Sequence, residues 1–489
     1  MTNTQRFTAL LLATLLAACG GSGGGGDTGS PGSSPPTSNP PSVTGNFLYF
    51  VANNGVSGTE LWKTDGTEAG TVLVKDINPG AGSSLSSSSE FIVFNNALYF
   101  SASDGVSGLE LWKTDGTGTG TVLVKDINLG TPDSSPVDFT VFNGALFFRA
   151  NDGMSGYEIW KTDGTEAGTV RVAGHVVKEI FIVFDGELYF SGEDGTSHEG
   201  ATRHELWKTD GTKTGTVRVK VINPGIFGHK FQDFVAIHKT LYFAADDGVT
   251  GLELWKTDGT EAGTVQVKEI RPGKFNSLST AFDSRYAVFK DTLYFMADDG
   301  VNGPELWKTD GTEFGTQLVK DILFGFSGSS PHSFVIFNDA LYFSAGGSDS
   351  EPWRTDGTEI GTVRLKNINP TFGSFPMFFT AFKDALYFRA ADQVAASGRI
   401  GLYASNYQIW KTDGTEIGTV RITNLNSGTG ITPENFIVFN NALYFTANDG
   451  LSGQELWKTD GTEAGTVRVK DIFPGVNSSH PSGLTVLSN

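Results

Sequence analysis

Between residues 91 and 127, short apolar runs alternate with polar turn clusters. FIVF (91–94) is followed by Asn95-Asn96, then ALYFSA (97–102), then a cluster holding Asp104-Gly105 and Gly108. LELWKT (109–114) comes next, then Asp115-Gly116 and TVLVKDI (121–127). Runs this short, rich in β-branched and aromatic residues and bounded by Asn, Asp and Gly, predict four strands joined by tight turns. Such turns suit hairpins, so the predicted unit is a four-stranded antiparallel sheet. No 3.6-residue period of apolar positions is present, which argues against a helical solenoid.

The unit recurs along the chain. ELWKTDGTEAGT (60–71) returns, lightly edited, eight more times, and all nine tryptophans sit in it: Trp62, Trp112, Trp160, Trp207, Trp255, Trp307, Trp353, Trp410 and Trp457. Their spacings are 50, 48, 47, 48, 52, 46, 57 and 47 residues, a period typical of propellers, solenoids and arrays. The first two strands read as apolar on both faces, as if covered by neighbouring units near an axis. The fourth alternates, as in Val72-Leu73-Val74-Lys75, the pattern of a solvated edge. The fold class predicted is all-β: a single β-propeller of about nine four-stranded antiparallel blades over residues 46–489. The first unit lacks its first strand, whereas SSHPSGLTVLSN (478–489) aligns with SSPHSFVIFNDA (329–340), whose second part is a first strand. Leu484–Leu487 is therefore expected beside Phe47–Val51, closing the ring.

Within the repeat, Asp-Gly is turn chemistry. A short carboxylate accepts hydrogen bonds from amides just downstream, and Gly takes φ > 0 without a clash. On this reading Asp65, Asp115, Asp163, Asp210, Asp258, Asp310, Asp356, Asp413 and Asp460 are structural turn residues rather than nine acids or metal ligands. A second set of Asp-Gly turns, at Asp104, Asp152, Asp194, Asp247, Asp299 and Asp449, raises calcium as a ligand. No Asp-x-Asp-x-Asp-Gly loop accompanies them, so no metal or other cofactor is expected.

The repeated Glu-Leu-Trp-Lys-Thr-Asp-Gly-Thr resembles the ELWxxDGT repeat family of bacterial exported and surface proteins. The likeness covers about nine-tenths of the chain, with departures at Glu351-Pro352-Trp353-Arg354 and Gln408-Ile409-Trp410. It implies a propeller-like array at a cell surface and supplies no catalytic residues.

Residues 1–18 read as an export signal: Arg6, then an apolar run too short to span a bilayer. The run ends in Leu16-Ala17-Ala18-Cys19, which resembles the lipobox of bacterial lipoproteins; that likeness implies a lipid on Cys19, the only cysteine, and Gly20 is compatible with outer-membrane sorting. Residues 19–45 are then the lipidated cysteine and a Gly/Ser/Pro-rich tether, spanning roughly 25–30 Å as a flexible coil. The expected location is the outer membrane, with the propeller facing the periplasm or the surface.

A net charge of −19 argues against nucleic acid or an anionic lipid surface as partner, leaving membrane contact to the lipid alone. Nothing resembles a phosphate-cradling loop or a nucleophile elbow. Unrepeated polar and aromatic groups gather in loops at 193–204, 226–233 and 392–407, so the candidate ligand-binding residues are His198, Arg203, His204, His229, Lys230, Arg399, Tyr403 and Asn406. His198, Glu199, His204 and His229 match no standard metal spacing. The expected function is a lipid-anchored, monomeric binding or scaffold protein of the cell envelope, holding a protein or glycan. The alternatives are a propeller enzyme acting on extracellular polymers, with its site over the axial channel, and an envelope-assembly lipoprotein.

Overall fold

The computed structural model describes residues 47–487, apart from 155, 175, 194–204, 224–231, 280–285, 393–406 and 424–431. Among the described residues lie nine four-stranded antiparallel sheets, which are the blades of one propeller. In blade one, β1 (Phe47–Asn53), β2 (Thr59–Thr64) and β3 (Val72–Lys75) are the second, third and fourth strands. Its innermost strand is Ser482–Leu487 from the other end of the chain, with Leu487 opposite Phe47 and Val486 opposite Leu48. The ring is closed by this strand, as the alignment of 478–489 with 329–340 predicts.

Alternation along a strand sends successive side chains to opposite faces, and here each face meets a different blade. From β1, Leu48 and Phe50 pack with Tyr444 and Leu456 of blade nine. Tyr49 and Val51 pack with Leu98, Phe100 and Trp112 of blade two. The core is therefore a circle of seams between blades. Each motif Trp sits directly across from a second-strand Phe, as in Phe50–Trp62, Phe295–Trp307 and Phe445–Trp457. Phe50, Phe295 and Phe445 are fully buried, each contributing about 1.5–3 kcal/mol relative to exposure.

One expectation fails. The innermost strands are not covered on both faces; Val141, Val183, Ile336 and Val438 are 40–47% exposed. These four occupy one register, each preceding the terminal Phe of its strand and pairing with the second-strand Leu. In a ring of nine the innermost strands stand around an open channel, so one side chain per strand faces the lumen. The strands closed on both faces are the second and third.

The blades are also bolted together by cations. Lys63 Nζ donates to the Gly116 carbonyl at 2.8 Å, and Lys458 Nζ to the Gly66 carbonyl at 2.9 Å across the closure. A second series runs from the fourth strand: Lys75 to the Thr121 carbonyl at 2.7 Å, and Lys470 to the Thr71 carbonyl at 2.8 Å. The junction between blades nine and one thus has the same bonds as that between blades one and two.

Candidate functional site

Each blade's second turn, after its second strand, lies on the face reached by the connections to the next blade. The Asp-Gly-Thr turns lie on the opposite face, where Phe47 also enters, since Leu48 pairs with Thr64. In those turns Asp65 Oδ1 accepts from Thr67 N at 2.8 Å and Thr67 Oγ1 at 2.7 Å, and Thr67 Oγ1 accepts from Gly70 N. Thr64 and Thr71 hydroxyls meet at 2.7 Å beneath it. The same bonds recur at Asp115, Asp163, Asp210, Asp258, Asp310, Asp356, Asp413 and Asp460. In every one of these turns Oδ1 of the carboxylate is engaged by the turn itself.

The glutamate that opens the motif does something that sequence reasoning missed. Glu60 is fully buried; Oε1 accepts from Ser84 N at 2.9 Å, and Oε2 from Ile77 N at 3.1 Å and Ser84 Oγ at 2.5 Å. It pins both ends of the loop that carries the chain to the next blade. Glu110, Glu253, Glu305, Glu351 and Glu455 do the same. Burial pushes Glu60, Glu253 and Glu455 up to about 7, the serine and amide donors pulling partly back. In blades three and four the glutamate meets an arginine, Glu158 with Arg171 at 2.8 Å and Glu205 with Arg218 at 2.9 Å. Blade eight carries Gln408, which accepts from Thr423 Oγ1. The sequence signal was an acidic residue retained before an apolar strand.

At the loop-face mouth of the channel, blades three and eight depart from the repeat by placing Arg149 and Arg389 where other blades have small or apolar residues. Arg149 Nε meets Asp138 at 2.6 Å. Arg389 is buried between the rings of Phe378 and Tyr407, both 4.7 Å away, and reaches Glu434 of blade nine at 2.8 Å. Close by in blade seven, His332 donates Nδ1–H to the Ser330 carbonyl, and burial favours its neutral form. Both arginines lie on second strands and are answered by carboxylates and rings: Arg149 ties to the first strand of its own blade, and Arg389 to the first strand of blade nine. Among the described residues, no three His, Cys, Asp or Glu are placed to hold a metal.

His198, Arg203, His204, His229, Lys230, Arg399, Tyr403 and Asn406 all lie outside the described residues, as does Cys19. What the described loop face does show is apolar exposure. Val56, Val106, Leu129, Met154, Val249, Phe275, Val301, Phe324, Phe326, Phe372, Leu451 and Val476 are exposed there, against Phe314, Ile360 and Ile417 in the Asp-Gly-Thr turns; the valines that open the fourth strands, such as Val72 and Val217, are less exposed at 36–42%.

No family model matches the chain, so the ELWxxDGT likeness rests on the nine motifs themselves, and no curated protein matches it. Among solved structures, the chain is similar to the computationally designed Ika8 protein at 14% identity, over 76% of this chain and 97% of that one, with a TM-score of 0.38. It is similar to a puromycin hydrolase at 13% identity, over 68% and 53%, with a TM-score of 0.36. One of a pair of prolyl endopeptidases matches at 12% identity, over 73% and 54%, with a TM-score of 0.39. The chain spans just over half the length of those two enzymes. With scores this low, the likenesses inform neither fold nor chemistry. The nine-bladed propeller is established by the strand order of this chain alone.

Proposed function

We propose that this protein is a lipid-anchored binding scaffold of the cell envelope, which presents the loop face of its propeller to a protein or glycan. The observation that carries the reading is the asymmetry of apolar exposure. Among the described residues, twelve large apolar side chains stand 49–87% exposed in the loops of the loop face, against three in the Asp-Gly-Thr turns and eight valines, 36–42% exposed, that open the fourth strands after those turns. Exposed apolar groups that are not scattered singly mark interaction surfaces. A lipid on Cys19 would tether the chain through residues 19–45, which join the ring at Phe47 on the turn face. The loop face would then point away from the bilayer. The ring suits such a role because every seam is packed and cation-braced, so the surface is held in one shape.

Two measurements test this. The soluble domain 46–489 is expected to recover a defined partner from an envelope extract, and to lose it when Phe324 and Phe326 are changed together to Ser. Full-length Cys19→Ala protein is expected to leave the membrane fraction. Recovery undiminished by the double change would remove the loop face from the role, and membrane retention of Cys19→Ala would remove the lipid anchor.

A further inference from the structure

The loop face has a cleft of about 560 Å3 at the junction of blades nine and one. It arises from two departures from the repeat. In blades one and two the exit loop carries Asn78 and Asn128, whose amides donate to the carbonyls of Ser83 and Asp133 at 3.4 and 3.1 Å. Both amides also lie against a glycine of the following blade: a Cβ on Gly105 or Gly153 would come within 2.7 Å of them. In blade nine this position is Phe473. Its ring covers Gly55 of blade one in the same way, 2.5 Å from where a Cβ would stand. A phenyl ring donates nothing, so the carbonyl of Ser478, the counterpart of Ser83, loses that amide.

The second departure is His480, at the position of Leu85, Ser135, Leu278, Ser330 and Phe375. It is exposed and holds a left-handed backbone, φ 48°. Its Nδ1 lies 3.1 Å from Gln454 Oε1. An amide oxygen can only accept, so Nδ1 carries the proton, and Nε2 of the neutral ring is left as an acceptor. Asn53, Thr59, Ser87 and Asn477 complete the lining. No Asp, Glu, Lys or Arg is among the described residues of the wall.

We infer that this cleft binds a neutral sugar ring of a glycan. The inference rests on the loop face being the binding surface, and it names the ligand class. A pyranose has a C–H face that packs on the electron-rich face of an aromatic ring. Its rim of hydroxyls, each both donor and acceptor, suits amide, hydroxyl and imidazole groups. An uncharged wall offers nothing specific to a phosphate or an ammonium group. A cleft of this size with one aromatic platform and a few polar groups is a usual form for a small-ligand site.

Two variants return the cleft to the repeat: Phe473→Asn, the residue of blades one, two, four and seven, and His480→Ser, the residue of blades two and six. Because their side chains already occupy equivalent positions elsewhere in the ring, both are expected to fold with unchanged melting. Saturation-transfer NMR of domain 46–489 with maltohexaose, cellohexaose and chitohexaose is expected to show transfer to at least one. Phe473→Asn should weaken that sugar about tenfold, the effect of losing one aromatic contact. No transfer to any of the three in the wild-type domain, or transfer undiminished in Phe473→Asn, overturns the assignment. Envelope partners still recovered by Phe473→Asn in that event would leave the loop face as the binding surface and remove only the sugar.

Discussion

A buried carboxylate and an exposed one, each a single side chain of the repeated motif, give this protein opposite responses to pH. Glu60, Glu253 and Glu455 have folded-state values near 7, and Glu110, Glu305 and Glu351 are raised in the same direction, all chiefly by burial. Unfolded, they ionise near 4.5. The folded chain therefore holds extra protons between these values, so their contribution is complete below 4.5 and is lost as pH rises through 7. The turn aspartates run the other way. Hydrogen bonds from the following threonine hold Asp65, Asp258 and Asp310, among others, below 3.8, so their contribution is lost as pH falls through that range. Stability should peak at about pH 4–5. Thermal melting of domain 46–489 should show a falling midpoint from pH 5 to 8, with a shallower slope in Glu253→Gln. A midpoint that rises over that interval would contradict the burial argument. Asp65 was legible in the sequence because its partners are two residues away. Glu60 was not, because its partners are 17 and 24 residues away in a loop with no signature of its own.

At the scale of the element, the Asp-Gly turn is a hairpin device and a docking point for the neighbouring blade. Gly116 has φ 89°, and a Cβ there would stand 2.0 Å from Tyr49 Oη of blade one. Gly66, Gly164, Gly259, Gly311, Gly357, Gly414 and Gly461 face a tyrosine in the same way. The glycine is thus required twice, by its own backbone and by the tyrosine of another blade. Gly116→Ala should cost about 1–3 kcal/mol, from positive-φ strain and the displaced tyrosine together. Urea unfolding would read this directly. A loss no larger than that of an alanine replacing an exposed, unstrained glycine would show that the tyrosine contact carries nothing. The first requirement was visible in the chain as Asp-Gly, and the second depends on Tyr49 lying 67 residues earlier in sequence.

For the whole molecule, closure is the decisive interaction. Ser482–Leu487 pairs with Phe47–Asn53, while Leu484 and Val486 pack against the seam of blades nine and one. Deleting residues 482–489 would leave β1 as an unpaired apolar edge, and such edges recruit other chains. Size-exclusion chromatography with light scattering should show species larger than those formed by the intact domain, with a broader melting transition. An unchanged mass and transition would mean that the ring is held without its last strand.

What the sequence determined by itself was everything that repeats over a short range. Strand and turn positions, the period, the blade count and the strand missing from blade one were all legible, because each depends on local alternation or on comparison of one unit with the next. What only the tertiary structure decided was which side chains meet across a seam. The lysine braces, the glutamate clamps, the open lumen beside Val141 and Ile336, and the cleft over Phe473 all join residues from different strands, loops or blades. A single unit contains half of each such contact, and its other half appears only when the ring closes.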